Sequence, residues 1–197
     1  PIDHGAKIVL SNGTEIQAYI VLPNLIQTSN TPQNGLTGKL VYVGKGYPPD
    51  LQGKPIKGNI ILMDFNSRDN WVDVAGLGAK AIIFMEPTET VSQEADLKYF
   101  KNVPIPFTRL YVKREEAQRL LKLASLNEEV TVFSKMNWEN KIGKNIIGII
   151  HGSDPYVNET VLVFAYYDST SVVPAVAPGA NEAIGVSVLI EFARFLS

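Results

Sequence analysis

Apolar positions in this chain come in two patterns, alternating stretches and unbroken runs. Residues 7–10 and 15–22 are short apolar stretches flanking Ser11-Asn12-Gly13-Thr14. Asn-Gly between two such stretches is the strongest short-range signal for a hairpin. Residues 58–65 (GNIILMDF) and 79–85 (AKAIIFM) are runs rich in β-branched side chains with no internal breaker. Each predicts a buried strand. Between them, Asn66, Ser67 and Asp69 offer side-chain oxygens to the free amides of a helix start, which predicts a helix over 70–77. Gly76 and Gly78 close it, because glycine adopts the left-handed backbone of a helix end without steric cost. Strand, short helix and strand make a right-handed crossover, so the two runs are expected side by side and parallel.

The other segments read in the same way. Residues 23–35 are rich in Asn, Thr, Pro and Gln and predict an exposed loop; 36–43 predict a strand. Gly44-Lys45-Gly46 runs into Pro48-Pro49 rather than into a helix, which favours a plain turn over a phosphate-binding loop. Residues 86–102 are polar and acidic, predicting a partly helical, solvated excursion without the regular oxygen spacing of a calcium loop. Residues 104–112 predict a strand whose two prolines point to an edge position or an entry bend. Residues 113–124 form an amphipathic pattern, with Ala117, Leu120, Leu121 and Ala124 on one face. Residues 129–136 alternate, with Val130, Val132 and the Lys135 stem set against Thr131 and Phe133. Trp71 and Trp138 are assigned to packing, since a buried indole brings a large apolar area.

The character changes at Lys141. Residues 145–152 and 160–167 predict two buried strands joined by a turn, and a helix is predicted over 183–196. That helix carries Ile184, Val186, Val188, Leu189, Ile190, Phe192, Phe195 and Leu196, with only Ser187, Glu191 and Arg194 suited to water. A helix apolar nearly all round expects cover from more protein, so self-association or exchange of this segment between chains is expected.

Composition narrows the classes. With 197 residues, 45% hydrophobic and 19% charged, the chain has room for a sizeable core. A net charge of −2 gives no electrostatic basis for binding nucleic acid. No apolar run reaches the roughly 20 residues of a membrane helix. Zero cysteines exclude disulfides and thiolate metal sites. A G-x-G-x-x-G between strand and helix is missing, which argues against a dinucleotide site. The chain starts at Pro1 with neither methionine nor signal peptide, as expected of a processed protein or an excised fragment. Two N-x-S/T sequons, at Asn12 and Asn158, fall on expected turns and are most simply chance occurrences. His4 and His151 read as structural or solvated residues.

Two resemblances follow from particular motifs. Gly78-Ala79-Lys80-Ala81-Ile82-Ile83, the run Val103-Pro104-Ile105-Pro106-Phe107 and the helix after it resemble the protease-associated domain across residues 36–133. That module sits beside, or inserted in, peptidase domains and receptor ectodomains. In residues 141–197, Asn145-Ile146-Ile147-Gly148, Gly152-Ser153-Asp154-Pro155, Ala165-Tyr166-Tyr167-Asp168-Ser169 and Ala177-Pro178-Gly179-Ala180 keep an order and spacing similar to the opening of the two-zinc exopeptidase domain. Bacterial leucyl aminopeptidases, glutamate carboxypeptidase and the transferrin receptor carry that domain.

The second resemblance implies a metal site, and the departures from it bear on function. Tyr166 stands where the family has a zinc-binding histidine; a phenol must first lose a proton of pKa about 10 to ligate. Glu182 is the residue near the family's bridging aspartate, in a run one residue short. Asp168 matches the carboxylate that orients the histidine. The resemblance places the general base and further ligands beyond Ser197. The expected fold is therefore α+β or mixed: a β-rich protease-associated domain with two short helices over residues 1–140, then the first strands and helix of an α/β zinc-exopeptidase-like domain over 141–197. The expected function is a non-catalytic module of a peptidase-like protein, shaping substrate access or contacting proteins. Its expected partners are a protein or peptide and the remainder of the peptidase-like domain, at an extracellular or cell-surface location. No catalytic residue and no cofactor is assigned to this chain. The alternative is part of an active zinc-dependent aminopeptidase with altered ligands, zinc entering in a full-length parent through metal-activated water.

Overall fold

In the computed structural model, residues 1–99, 102, 104–154, 158–169, 171–177 and 180–197 are described, with the side chains of 180–182 left out. Val103, Pro155, Pro178, Gly179 and the side chain of Glu182, all used in the motifs above, lie outside the described residues.

The Asn-Gly signal folds as expected. β1 (Ile2–Leu10) and β2 (Glu15–Ile20) form an antiparallel hairpin in register Ile8–Ile16, with Gly13 at φ +81° in the turn. The crossover unit is also present. β3 (Leu36–Tyr42), β4 (Ile60–Asp64), β5 (Ala81–Met85) and β6 (Thr108–Val112) run parallel, with Ile61 opposite Ile82 and Ile82 opposite Arg109. β7 (Glu129–Asn137) pairs antiparallel with both β1 and β3, and β2 pairs antiparallel with β6. These pairings close the sheet in the order β1-β2-β6-β5-β4-β3-β7.

That closure corrects the expected α+β fold class. The structure is a closed, seven-stranded mixed barrel and mostly β, not the opening of an α/β exopeptidase sheet. Runs 145–152 and 160–167 form no strand among the described residues, and Ile146, Ile147, Val161 and Leu162 are exposed. The physical reason is pairing. A strand's backbone groups need a neighbouring strand, and an apolar run meets that need only where a ladder partner exists. Closure also excludes one of the two positions expected for residues 104–112, the sheet edge, and leaves the prolines at the strand entry. β6 is internal, between β2 and β5, and all five of its residues are buried; the two prolines precede it.

Side chains alternate across the barrel wall. One face carries Ile8, Ile20, Leu40, Ile60, Leu62, Ile83, Leu110 and Val132 into the interior, where α4 (Arg114–Ser125) adds Ala117, Leu120 and Ala124. The opposite face of the parallel strands carries Ile61, Met63, Phe65, Ile82, Phe84 and Tyr111 into a second cluster. α2 (Trp71–Gly76) covers that cluster with Trp71 and Val74. β4 and β5 are thus buried on both faces, which explains their unbroken apolar sequence.

Several local expectations change. Gly44-Lys45-Gly46 makes the plain turn expected, the Gly46 amide donating to the Val43 carbonyl at 2.8 Å, but Pro48-Pro49 then opens a one-turn helix, α1 (Pro48–Leu51). Asn70, not Asn66 or Asp69, precedes α2, and its amide donates to the Lys45 carbonyl at 2.9 Å. Asn66 donates instead to the Glu89 carbonyl at 2.7 Å. Lys135 is exposed, and Ser134 and Met136 take the inward positions of β7. Trp138 is 57% exposed, its indole N–H donating to the Ile26 carbonyl at 3.0 Å, so only Trp71 is a core tryptophan.

Residues 1–139 and 172–176 form one unit, and residues 140–171 and 177–197 another. In the first, Val172 and Val173 are buried in the outer cluster, and the Leu22 amide donates to the Val172 carbonyl at 2.8 Å. In the second, α5 (Ala180–Leu196) leaves Ile184, Val188, Phe195 and Leu196 exposed.

Candidate functional site

The polar chemistry concentrates on the outer face of the parallel strands, in residues that pattern reading left unassigned. Between β5 and β6 the chain makes an excursion carrying α3 (Ser92–Asp96). Residues 89–99 of this excursion lie against the turn between β4 and α2 and are tied to it at several points. Asn66 donates to the Glu89 carbonyl at 2.7 Å and accepts from the Thr90 hydroxyl at 2.8 Å. The Arg68 amide donates to the Glu94 carboxylate at 2.8 Å, and the Trp71 indole donates to the Leu97 carbonyl at 3.1 Å.

Two cations lie beneath this segment. The Lys98 side chain is fully buried; its ammonium donates to the Arg68 carbonyl at 2.7 Å and pairs with Glu94 at 3.4 Å. It sits 4.9 Å from the Phe65 ring centre and 5.4 Å from that of Phe84. Arg109, projecting from β6, is buried with its guanidinium 4.5 Å from the Trp71 ring centre. It donates to the Lys98 carbonyl and, at 2.7 Å, to the Leu22 carbonyl. Among the described residues its Nε has no hydrogen-bond partner.

Burial sets the electrostatics here. Desolvation pushes the Lys98 ammonium down to about 8, with Arg109 adding a smaller push the same way, against attraction from Glu94 and Asp69. Desolvation likewise raises the Tyr99 phenol. Tyr111 is raised first by burial and then by Glu86, and Phe65 meets its ring edge-on at 5.7 Å. At the end of β3, the Tyr42 hydroxyl donates to Asp64 at 3.0 Å; burial, followed by that bond and the carboxylate charge, pushes the phenol up to about 12.

One sequence signal was available for this arrangement. Arg109 interrupts an otherwise apolar buried strand, and a charge there must find partners or an aromatic face. Lys98 stands in a polar stretch and carries no such mark.

An open groove of about 1040 Å³ is lined by Pro48, Leu51, Val72, Gly76 and Leu77 between α1 and α2. A smaller hollow of about 230 Å³ lies between β3 and α4, lined by Tyr42, Lys54, Leu121 and Asn127.

The residues expected at a metal site lie elsewhere in the chain. Tyr166 is 72% exposed, with its ring edge-on to Phe164 at 6.4 Å. Asp168 is exposed, and the side chain of Glu182 is outside the described residues. His151 is exposed, and exposed His4 pairs with Glu139 at 3.0 Å. Among the described residues no three His, Cys, Asp or Glu side chains are grouped so as to hold a metal ion. A phenol and one carboxylate among the described residues do not make the three-ligand donor set of a catalytic zinc. Among the described residues, no helix is long and apolar enough to cross a membrane.

Comparison with known proteins adds a family match over part of the chain. Residues 145–197 match the model of peptidase family M28. No curated protein matches. Among solved structures, an aminopeptidase from Aneurinibacillus sp. strain AM-1 is similar, with 20% identity and a TM-score of 0.46 over 68% of this chain and 31% of that one. A peptidase M28 precursor from Shewanella amazonensis SB2B is similar at 16% identity and TM-score 0.43, over 68% of this chain and 34% of that one. A psychrophilic subtilisin-like protease, Apa1, from the Antarctic psychrotroph Pseudoalteromonas sp. AS-11 matches at 17% identity and TM-score 0.43, over 66% and 32%. The chain thus spans about a third of the length of these structures.

Proposed function

We propose that the barrel is a non-catalytic module of the protease-associated type, acting beside an M28-like peptidase segment to shape substrate access or to contact a protein partner. The observation that carries this reading is that the M28 match is confined to residues 145–197, while every strand of the closed sheet comes from residues 2–137. The motifs at residues 78–83 and 104–107 support the module assignment, and Tyr166 at the position of a zinc-binding histidine supports a non-catalytic role for this chain.

The test uses the chain as it stands. Aminoacyl reporter peptides are incubated with it, with and without added zinc, and no zinc-dependent cleavage is expected. The Tyr166→His variant is expected to stay inactive as well, because one restored imidazole leaves the donor set incomplete. Zinc-dependent turnover by the unmodified chain would overturn the reading. In a longer parent protein, disrupting the barrel is expected to change KM for long peptides more than for a short reporter.

The family match also favours a second reading, an active zinc aminopeptidase in which a longer parent supplies the remaining ligands. Zinc analysis of such a parent separates the two; stoichiometric zinc with peptidase activity would select the second. An extracellular or cell-surface location goes with this reading, checked by fractionating cells that express the parent gene and locating the protein by immunoblot.

A further inference from the structure

The segment over the outer face of the barrel is held in an unusual way. Its fastenings, described above, come from side chains of three different elements: the β4–α2 turn, α2 and β6. Two contacts meet at Arg68, whose backbone stands at φ +53°, a left-handed conformation that is uncommon for a non-glycine residue. Arg68 is gripped from both sides, its amide by Glu94 and its carbonyl by Lys98. Beneath the segment lies an aromatic floor of Phe65, Phe84 and Tyr111, with Trp71 and Arg109 at its side.

We infer that residues 89–99 form a strap that opens locally from this floor, and that the protonation state of Lys98 sets how often it opens. The charged groups facing the ammonium are Glu94 on the strap itself, Asp69 on the β4–α2 turn and Arg109 on β6. One carboxylate in direct contact and one further off face two buried cations, so the ammonium is poorly compensated while the strap is closed. Lifting the strap returns it to water.

The direction follows from proton linkage. Closed, the Lys98 value is pushed down to about 8; in water it returns to the ordinary lysine value of 10.5. The open state therefore binds the proton more tightly, and opening is favoured when protons are plentiful. Between pH 7 and 9 the opening constant should fall by about tenfold. Opening, which uncovers an aromatic surface edged by a guanidinium, is thus commoner near neutral pH than in alkali.

Native-state hydrogen exchange on the full chain tests this, with each amide's intrinsic rate divided out. The amides of Arg68, Leu97 and Lys98 report on the strap, since they bond within it or to it. Ile8 and Val132, in the barrel wall, report on global unfolding. The expected result is that strap amides exchange through a lower-energy opening than wall amides, and that this opening becomes about tenfold rarer from pH 7 to 9. In Lys98→Arg the side chain stays charged at both values, and that pH dependence should vanish. Lys98→Met, which cannot titrate, should lose it too. Strap and wall amides opening together would overturn the proposal, as would a wild-type strap opening that is independent of pH or becomes commoner as pH rises. An unchanged pH dependence in Lys98→Arg would overturn it as well.

Discussion

The return of the chain to the barrel at Val172 and Val173 offers a demanding prediction, because nothing near these residues in sequence belongs to the barrel. Val172 is 7% and Val173 2% exposed, both in the cluster with Trp71, Phe84 and Tyr111. Complete burial of a valine side chain is worth about 1.5–3 kcal/mol. The Leu22 amide also loses its acceptor, the Val172 carbonyl, when this stretch is removed. Orphaning a fully buried amide costs about 1–3 kcal/mol, and the half-buried Leu22 amide stands at the low end of that range. Truncation after Glu139 should therefore cost on the order of 5 kcal/mol, a large share of the 5–15 kcal/mol that stabilises a typical domain. Val173→Ala in the full chain leaves the amide bond intact and should cost about 1–2 kcal/mol, as core methyl deletions do. Urea unfolding read through tryptophan fluorescence measures both. With a slope of roughly 1–3 kcal/mol/M, the truncation should lower the midpoint by about 2 M or more, and the alanine by about 0.5–1 M. A truncated chain with the full-length midpoint would refute the assignment of these valines to the barrel core.

Other consequences can be measured separately. Stability should rise between pH 8 and 10, because the unfolded chain holds the Lys98 proton up to about 10.5 while the folded one releases it near 8; Lys98→Met should flatten that rise in pH-dependent urea titrations. Above pH 10 the trend should reverse, since Tyr42 and Tyr111 stay protonated when folded but ionise in the unfolded chain. Gly46→Ala should cost about 1–2 kcal/mol by thermal unfolding: the backbone is at φ +72°, where a Cβ is strained, while the Met63 methyl that the new carbon would meet is the far end of a flexible side chain. Trp138→Phe should shift native emission to the blue, because the remaining indole, Trp71, is fully buried; unchanged emission would contradict these environments.

Much of the barrel was legible in the sequence because the signals are local. Asn12-Gly13 specifies a hairpin through backbone geometry, and it formed in the register that buries Ile8 and Ile16. The runs around Ile61 and Ile83 signal strands covered on both faces, and the short helix between them leaves a parallel crossover as the way to connect them. The candidate metal residues were also a sequence matter, Tyr166, Asp168 and Glu182 being picked out by motif order alone, and the M28 match falls on the same segment.

Other features depend on which elements meet in space. Closure of the sheet rests on β7 joining β1 to β3 across more than 90 residues, and no local pattern encodes a partner at that distance. The same apolar composition makes a strand at residues 60–64 and none at 160–167, because a ladder requires a neighbour as well as a propensity. Trp71 and Trp138 look alike in sequence; one, at the start of α2, is buried against the strap and Arg109 of β6, and the other stands at the surface. Lys98 in a polar stretch and Arg109 in an apolar one become a single buried pair only when the strap folds across β6. Sequence determined the hairpin turn and which runs favour an extended strand, since those depend on backbone and side-chain preferences a few residues apart. Tertiary structure decided which of them pair, and which charges must exist without water.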